Sequence, residues 1–333
     1  MSKKGLLLRV SALILLISLT FVLPSCAKKE DEEKIKIVCT QFVQYDWMRQ
    51  IIGQSDRIEL SLLVDNGADI HSYQPTAVDI MEISDCDMIV YLGLDIDGWV
   101  SEALERANNA HTRKIALTEC EGVTLRNISS VSAEHSHDRH EEHDHEGHNH
   151  GSLDEHVWLS LKNAAAITEE LCTELCTLDP EGEAKYRANT ENYISKLRKL
   201  DEEYAETVAL ADEDERFVLF CDRFPFVYLF EDYGIEYSAA FEGCSTDSNA
   251  DFATVLRLIG EADEHSLDCV MVTESADRAL ANTVASSSKN GIDRVLALDS
   301  LQAVSRGQIE DGRTYLSVMK ENLSVLKLAL GIN

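Results

Sequence analysis

Apolar residues along this chain gather into short runs. The first half contains "IKIVCT", "RIELSLLV", "DMIVYLG" and "RKIALT"; the second contains "RFVLFC", "IEYSAAF", "LDCVMVT" and "RVLALD". Such runs, rich in β-branched residues and mostly without polar alternation, predict strands buried on both faces. Between them the apolar positions recur at helical spacing, near 43–52, 77–84 and 98–107, and again near 225–232, 249–262, 276–287 and 313–330. Strands alternating with helices predict parallel sheets with helices on both sides. The expected fold class is therefore α/β, built as two βα sandwiches of four strands each.

A different pattern separates the halves. Tyr186, Tyr193, Leu197, Leu200, Tyr204 and Val208 recur at sums of three and four, which marks one face of a helix. Residues 179–212 then predict a long helical rod, a rigid connection whose two flanking walls move little. This divides the chain into a first lobe at 35–178, a linking helix at 179–212 and a second lobe at 213–333.

The start of the chain stands apart. "MSKKGLLLRV" is basic, "SALILLISLTFVL" is apolar but short for a membrane span, and "LPSC" puts a small residue before Cys26. Residues 1–25 read as a secretory signal of the lipoprotein type, with Cys26 as the lipidated residue and 26–34 as a charged tether. Pro24 is unusual for that motif, and a plain signal peptide is the alternative. The expected location is the outer face of the cytoplasmic membrane, held by lipid on Cys26.

Charge then narrows the partners. Sixty acidic against 30 basic residues give a formal charge of −30, which repels nucleic acid and attracts cations. Beyond Cys26 there are eight cysteines: Cys39, Cys86, Cys120, Cys172, Cys176, Cys221, Cys244 and Cys269. Several lie in apolar strand runs, where cysteine serves as a small buried hydrophobe, so most are expected reduced, with one or two bridges left open.

Candidate chemistry centres on histidine. His71, in "NGADIHSYQPTAVDI", follows a strand and precedes a helix, which places it at the carboxyl edge of the first sheet, where open α/β sheets bind ligands. His156, in "LDEHVWLSLKNA", is flanked by Asp154 and Glu155 and also precedes a helix. Asp299 ends the last strand of the second half. Two imidazoles and a carboxylate from three loops suit a divalent transition metal, Zn2+ first, with Mn2+ or iron admitted by an oxygen-rich shell. Just before His156 runs "EHSHDRHEEHDHEGHNH", residues 134–150. It has no apolar residue beyond glycine to pack, so His135, His137, His140, His143, His145, His148 and His150 are expected in a loop that captures metal weakly. A solvated linker is the blander reading of that loop.

The phrases "GADIHSYQPTAVDI…DMIVYLGLDIDGWV", "DEHVWLSLKNA" and "YLSVMKENLSVLKLAL" resemble the cluster A-I solute-binding proteins of zinc and manganese ABC importers. The resemblance runs from about Ile35 to the C-terminus. It implies two (β/α)4 lobes joined by a backbone helix, with metal in the cleft between them. It also implies that His71 and His156 are ligands, that Asp299 is the C-terminal carboxylate ligand, and that the acidic His-rich loop marks a zinc-type member. One position departs. In "VLFCDRFPFVYLFEDYG" Arg223 falls where the family carries its third ligand, and a guanidinium cannot ligate a cation. Asp222 is the expected substitute, with Glu242, Glu274 or water as alternatives. The implied function is a monomeric, lipid-anchored receptor that hands zinc to an ABC permease and its ATPase, and is no enzyme. A manganese, iron or metal-chelate receptor of the same fold, a surface adhesin and a zinc hydrolase remain as alternatives; no HExxH phrase supports the last.

Overall fold

Among the described residues, eight strands form two separate sheets, each with four parallel strands. A computed structural model of the chain describes residues 34–94, 96–106, 111–127, 153–242 and 250–332. The first sheet contains β1 (Ile35–Cys39), β2 (Ile58–Leu62), β3 (Met88–Tyr91) and β4 (Arg113–Ala116) in the order β2-β1-β3-β4. The second contains β5 (Phe217–Phe224), β6 (Glu236–Glu242), β7 (Cys269–Thr273) and β8 (Arg294–Leu298) in the order β6-β5-β7-β8. The two orders are the same when read within each half, so the halves are two copies of one topology. Each sheet changes winding direction beside its first strand, at the point where a crevice opens beyond the carboxyl ends.

The helices of the first half are α1 (Phe42–Ile52), α2 (Ala77–Ser84), α3 (Gly98–Arg106) and α4 (Leu161–Leu178). The connecting helix α5 runs from Glu183 to Val208, 26 residues and about 39 Å. The second half adds α6 (Val227–Tyr233), α7 (Phe252–Glu264), α8 (Ala279–Ser287), the short α9 (Arg306–Glu310) and α10 (Tyr315–Ala329). Local sequence explains most starts. Thr76, Ser160, Asp251, Ser305 and Thr314 each accept a backbone N–H with the side chain at the first turn. Gly234 closes α6 in a left-handed conformation.

The core is continuous across the halves. One cluster of buried side chains runs from β1, α1 and α4 through Tyr186, Leu197, Leu200 and Tyr204 of α5 to Tyr228, Phe230, Tyr315 and Met319. Tyr315 shows how tight the weld is. It is fully buried, its N–H donates to Asp46 Oδ2 at 2.9 Å and its hydroxyl donates to the Trp158 carbonyl at 2.7 Å. Trp158 Nε1 returns the link, donating to the Ser300 carbonyl at 2.9 Å. Arg126 pairs with Glu231 and Asp232 across the same divide. Two smaller clusters fill the outer faces, one around Ile83 and Val100, the other around Leu258 and Val284.

Cys39, Cys86, Cys120, Cys172, Cys176, Cys221 and Cys269 are all free and buried, so bridges among them are ruled out. Burial raises the thiol pKa values of Cys86, Cys120, Cys221 and Cys269 to about 12. They behave as hydrophobes. Cys244 and Cys26 lie outside the described residues, as does the whole 134–150 stretch. Among the described residues no helix is long and apolar enough to cross a membrane.

Candidate metal centre

His71 sits in the loop that leaves β2. Asn66 Oδ1 accepts the Ala68 N–H at 2.9 Å, and Gly67 takes φ +75°, a left-handed turn that disfavours any side chain. Asp69 then caps a single 3-10 turn, Ile70–Ser72, by accepting the His71 N–H at 3.0 Å. Ile70 is buried and anchors the turn to the core. The imidazole is left facing the second histidine, with ring centroids 5.8 Å apart.

His156 is held more firmly. Asp154 Oδ1 lies 2.9 Å from both the backbone N–H and the ring Nδ1 of His156. A carboxylate on one ring nitrogen selects the tautomer with the proton there and leaves the other nitrogen's lone pair for a ligand. The ring is 1% exposed and packs edge-on against Trp158 at 5.2 Å. Asp154 is itself tied down, because the Tyr228 hydroxyl donates to its carbonyl at 2.8 Å.

Glu155 completes the group. One donor atom from each of His71, Glu155 and His156 lies within 4.8 Å of the others. His71 Nδ1 and Glu155 Oε1 are 3.4 Å apart. A tetrahedral ion with bonds of about 2.1 Å needs donors about 3.4 Å apart, so that pair already has the spacing. His71 Nε2 is buried with no hydrogen-bond partner, as is Asp154 Oδ2. Orphaned buried polar atoms are rare in folded proteins, and here one belongs to a ligand-type imidazole.

Among the described residues, the second half contributes no donor to this group. Asp222, expected from the sequence as the substitute ligand, instead turns to β7, where its Oδ2 accepts from the Thr273 hydroxyl and, at 3.2 Å, from the Thr273 N–H. Asp299 is paired with Arg313, and its Oδ1 accepts the Leu301 N–H at 2.9 Å. Glu274 is half-buried and accepts from Ser300 N–H at 2.9 Å and from its hydroxyl at 2.8 Å. Burial raises the Glu274 pKa, while the Ser300 hydrogen bonds and Arg313 pull against it. Arg223 does reach across: its Nη2 donates to Asp69 Oδ2 at 3.0 Å. The pairing of β5 with β6 shifts register between Phe220 and Arg223, and such an irregularity re-aims side chains at a strand end. The seven histidines from His135 to His150 lie outside the described residues, but Asn127 and Leu153 form a bridge where that segment leaves and returns.

Residues 37–329 match the family model described as zinc-uptake complex component A, periplasmic. The chain belongs to this family. The resemblance read from "GADIHSYQPTAVDI" and its companion phrases is thereby borne out at family level. Among relatives of the zinc-uptake family, the zinc-binding lipoprotein AdcA of Streptococcus pneumoniae is 29% identical over 319 residues, covering 96% of this chain. The alignment covers only 60% of that longer protein. The high-affinity zinc uptake system protein ZnuA of Bacillus subtilis is 29% identical over 299 residues, 90% of this chain and 88% of its own length. The crystal structure of the Zn(II)-bound ZnuA-like domain of the pneumococcal AdcA superposes with a TM-score of 0.68 at 26% identity, covering 89% of this chain and 99% of that domain. The metal-dependent lipoprotein YcdH of Bacillus subtilis gives a TM-score of 0.70 at 26% identity, with 89% and 99% covered. The α/β architecture of two four-stranded parallel sheets is thus the fold of the zinc-uptake family.

Glu155 is the candidate donor that sequence reasoning missed. It was visible as the neighbour of His156, but adjacent residues ordinarily point apart. The chain turns tightly at His156, where the Val157 N–H donates to the Glu155 carbonyl at 2.8 Å, and no sequence pattern marks that turn.

Proposed function

We propose that this chain is an extracytoplasmic receptor that captures zinc and delivers it to an ABC permease driven by its ATPase, without catalysing a reaction. The observation that carries the reading is the convergence of His71, Glu155 and His156, with one ligand-type atom of each within 4.8 Å of the others. Two imidazoles and one carboxylate are a donor set of borderline softness, which favours zinc over magnesium or calcium. The zinc-binding names of the pneumococcal and Bacillus relatives support the same cargo. Asp154 holds His156 in the ligating tautomer, and its unpartnered Oδ2 keeps the surroundings attractive to a cation.

In this proposal the first lobe supplies all protein donors, and Asp222 and Asp299 serve the packing of the second. The segment containing His135, His137, His140, His143, His145, His148 and His150 would feed ions weakly to the site from its base at Asn127 and Leu153. Cys26 would hold the chain to the membrane by lipid. Zinc and manganese titrations of the purified chain, read by competition with a chromogenic chelator, test the reading. Tight one-to-one zinc binding that His71→Ala and His156→Ala abolish is expected. Wild-type affinity in both variants would overturn it, and manganese preferred over zinc would change the cargo. Deleting residues 134–150 should lower the stoichiometry and leave one tight site.

A further inference from the structure

The loop that bears His71 is held at both ends by arginines from the other half of the molecule. At its start, Asp65 accepts the Arg306 backbone N–H at 2.6 Å through its carbonyl and the Arg306 Nε at 2.7 Å through its carboxylate. Asn66 pairs with Ser305 in an antiparallel bridge, and a Cβ on Gly67 would lie 3.5 Å from the Ser305 Cβ. At its end, Asp69 uses one carboxylate oxygen to cap the His71 N–H at 3.0 Å and the other to accept from Arg223 Nη2 at 3.0 Å. Arg223 is therefore one residue removed from a donor of the proposed site.

We propose that Arg223 and Arg306 are positioning residues for His71: from the second half they clasp the loop that bears it. The inference rests on the metal reading of His71, Glu155 and His156. Its physical basis is entropic. A loop donor left free must be ordered each time it binds, at a cost in backbone entropy for every residue fixed. A clasp that orders the loop beforehand removes that cost, and the gain appears mainly as a slower off-rate. Arg223 suits this role better than lysine would, since its planar fork is less easily displaced. Its charge is matched by Asp69, which limits its repulsion of the ion.

The experiment compares Arg223→Met, Arg306→Met, the double variant and Arg223→Lys with the wild type. Zinc release into excess chelator is timed by stopped flow, and amide exchange is followed at residues 64–72 in metal-free protein. Each single Met variant should release zinc roughly 5–10-fold faster, and the double variant faster still, with exchange accelerated within 64–72. Arg223→Lys should recover part of the loss. Arg126→Met, which removes ion pairs between the halves without touching the loop, should release zinc within about 2-fold of wild type. Release within 2-fold of wild type in the double variant, with exchange in the loop unchanged, would overturn the clasp. If His71→Ala itself binds zinc normally, the metal reading fails instead, and the loop-exchange measurement still decides whether the arginines order residues 64–72.

Discussion

The carboxyl edges of the two sheets have the same topology and opposite chemistry. At the first, His71 Nε2 and Asp154 Oδ2 are buried with no partner, and three ligand-type side chains converge. At the second, Asp222, Glu274 and Asp299 are each engaged, by Thr273, Ser300 and Arg313 respectively. A fold can place a ligand-type residue at the same sheet edge twice. Whether that residue binds depends on whether its lone pairs are already satisfied locally. The difference lies in unmet hydrogen-bonding capacity, which topology does not reveal.

That contrast can be broken most directly at His156. His156→Ala should weaken zinc binding by more than about 100-fold, because it removes a donor rather than merely a donor's support; competition titration reads it. A loss of less than 10-fold would mean that the second edge supplies more than its hydrogen bonds indicate.

Buried carboxylates offer a pH test of the first edge. Asp97 is 1% exposed and accepts the N–H groups of Leu92 at 2.6 Å and Gly93 at 3.0 Å. Burial nevertheless pushes its pKa up from 3.8 to about 6. Between those values the folded chain retains a proton that the unfolded chain has lost. The stabilisation is complete below about pH 4 and is lost as pH rises through about 6. At roughly 1.36 kcal/mol per pH unit this amounts to about 3 kcal/mol. Denaturant unfolding from pH 4 to 7 should show the wild type losing about that much relative to Asp97→Asn. A flat difference would mean that the N–H donors offset the burial.

Smaller effects sharpen the comparison further. Asp154→Asn exchanges the oxygen on His156 Nδ1 for a weaker or mis-oriented partner, and zinc affinity should fall about 10–100-fold with the fold intact. Asp299→Asn and Asp222→Asn should change zinc affinity by less than about 3-fold. Their cost should appear instead as roughly 1–2 kcal/mol of stability, since each leaves partners short of an acceptor. A large affinity loss in Asp299→Asn would restore a donor to the second half.

Both sheets were legible in the sequence because "DMIVYLG" and "LDCVMVT" are nearly all apolar and bounded by charge, a pattern with few other readings. The helix α9 was not legible: five residues at Arg306–Glu310 are too few to show a period. His71 and His156 were legible as candidates from their positions between a strand or loop and a helix. The fate of Asp222 and Asp299 was not, because Thr273 and Arg313 are remote or unmarked in sequence and only folding brings them close. Arg223 could be excluded as a ligand from its chemistry alone. Its destination at Asp69, 154 positions earlier, was beyond any local pattern.

Tyr315 and the side chains that adjoin α5 leave no thin neck about which the molecule could swing. If the chain carries zinc as proposed, release is expected at the scale of one surface segment, not as a yawning of two jaws. Small-angle scattering curves with and without zinc should superimpose, and heating should melt the whole body in one step.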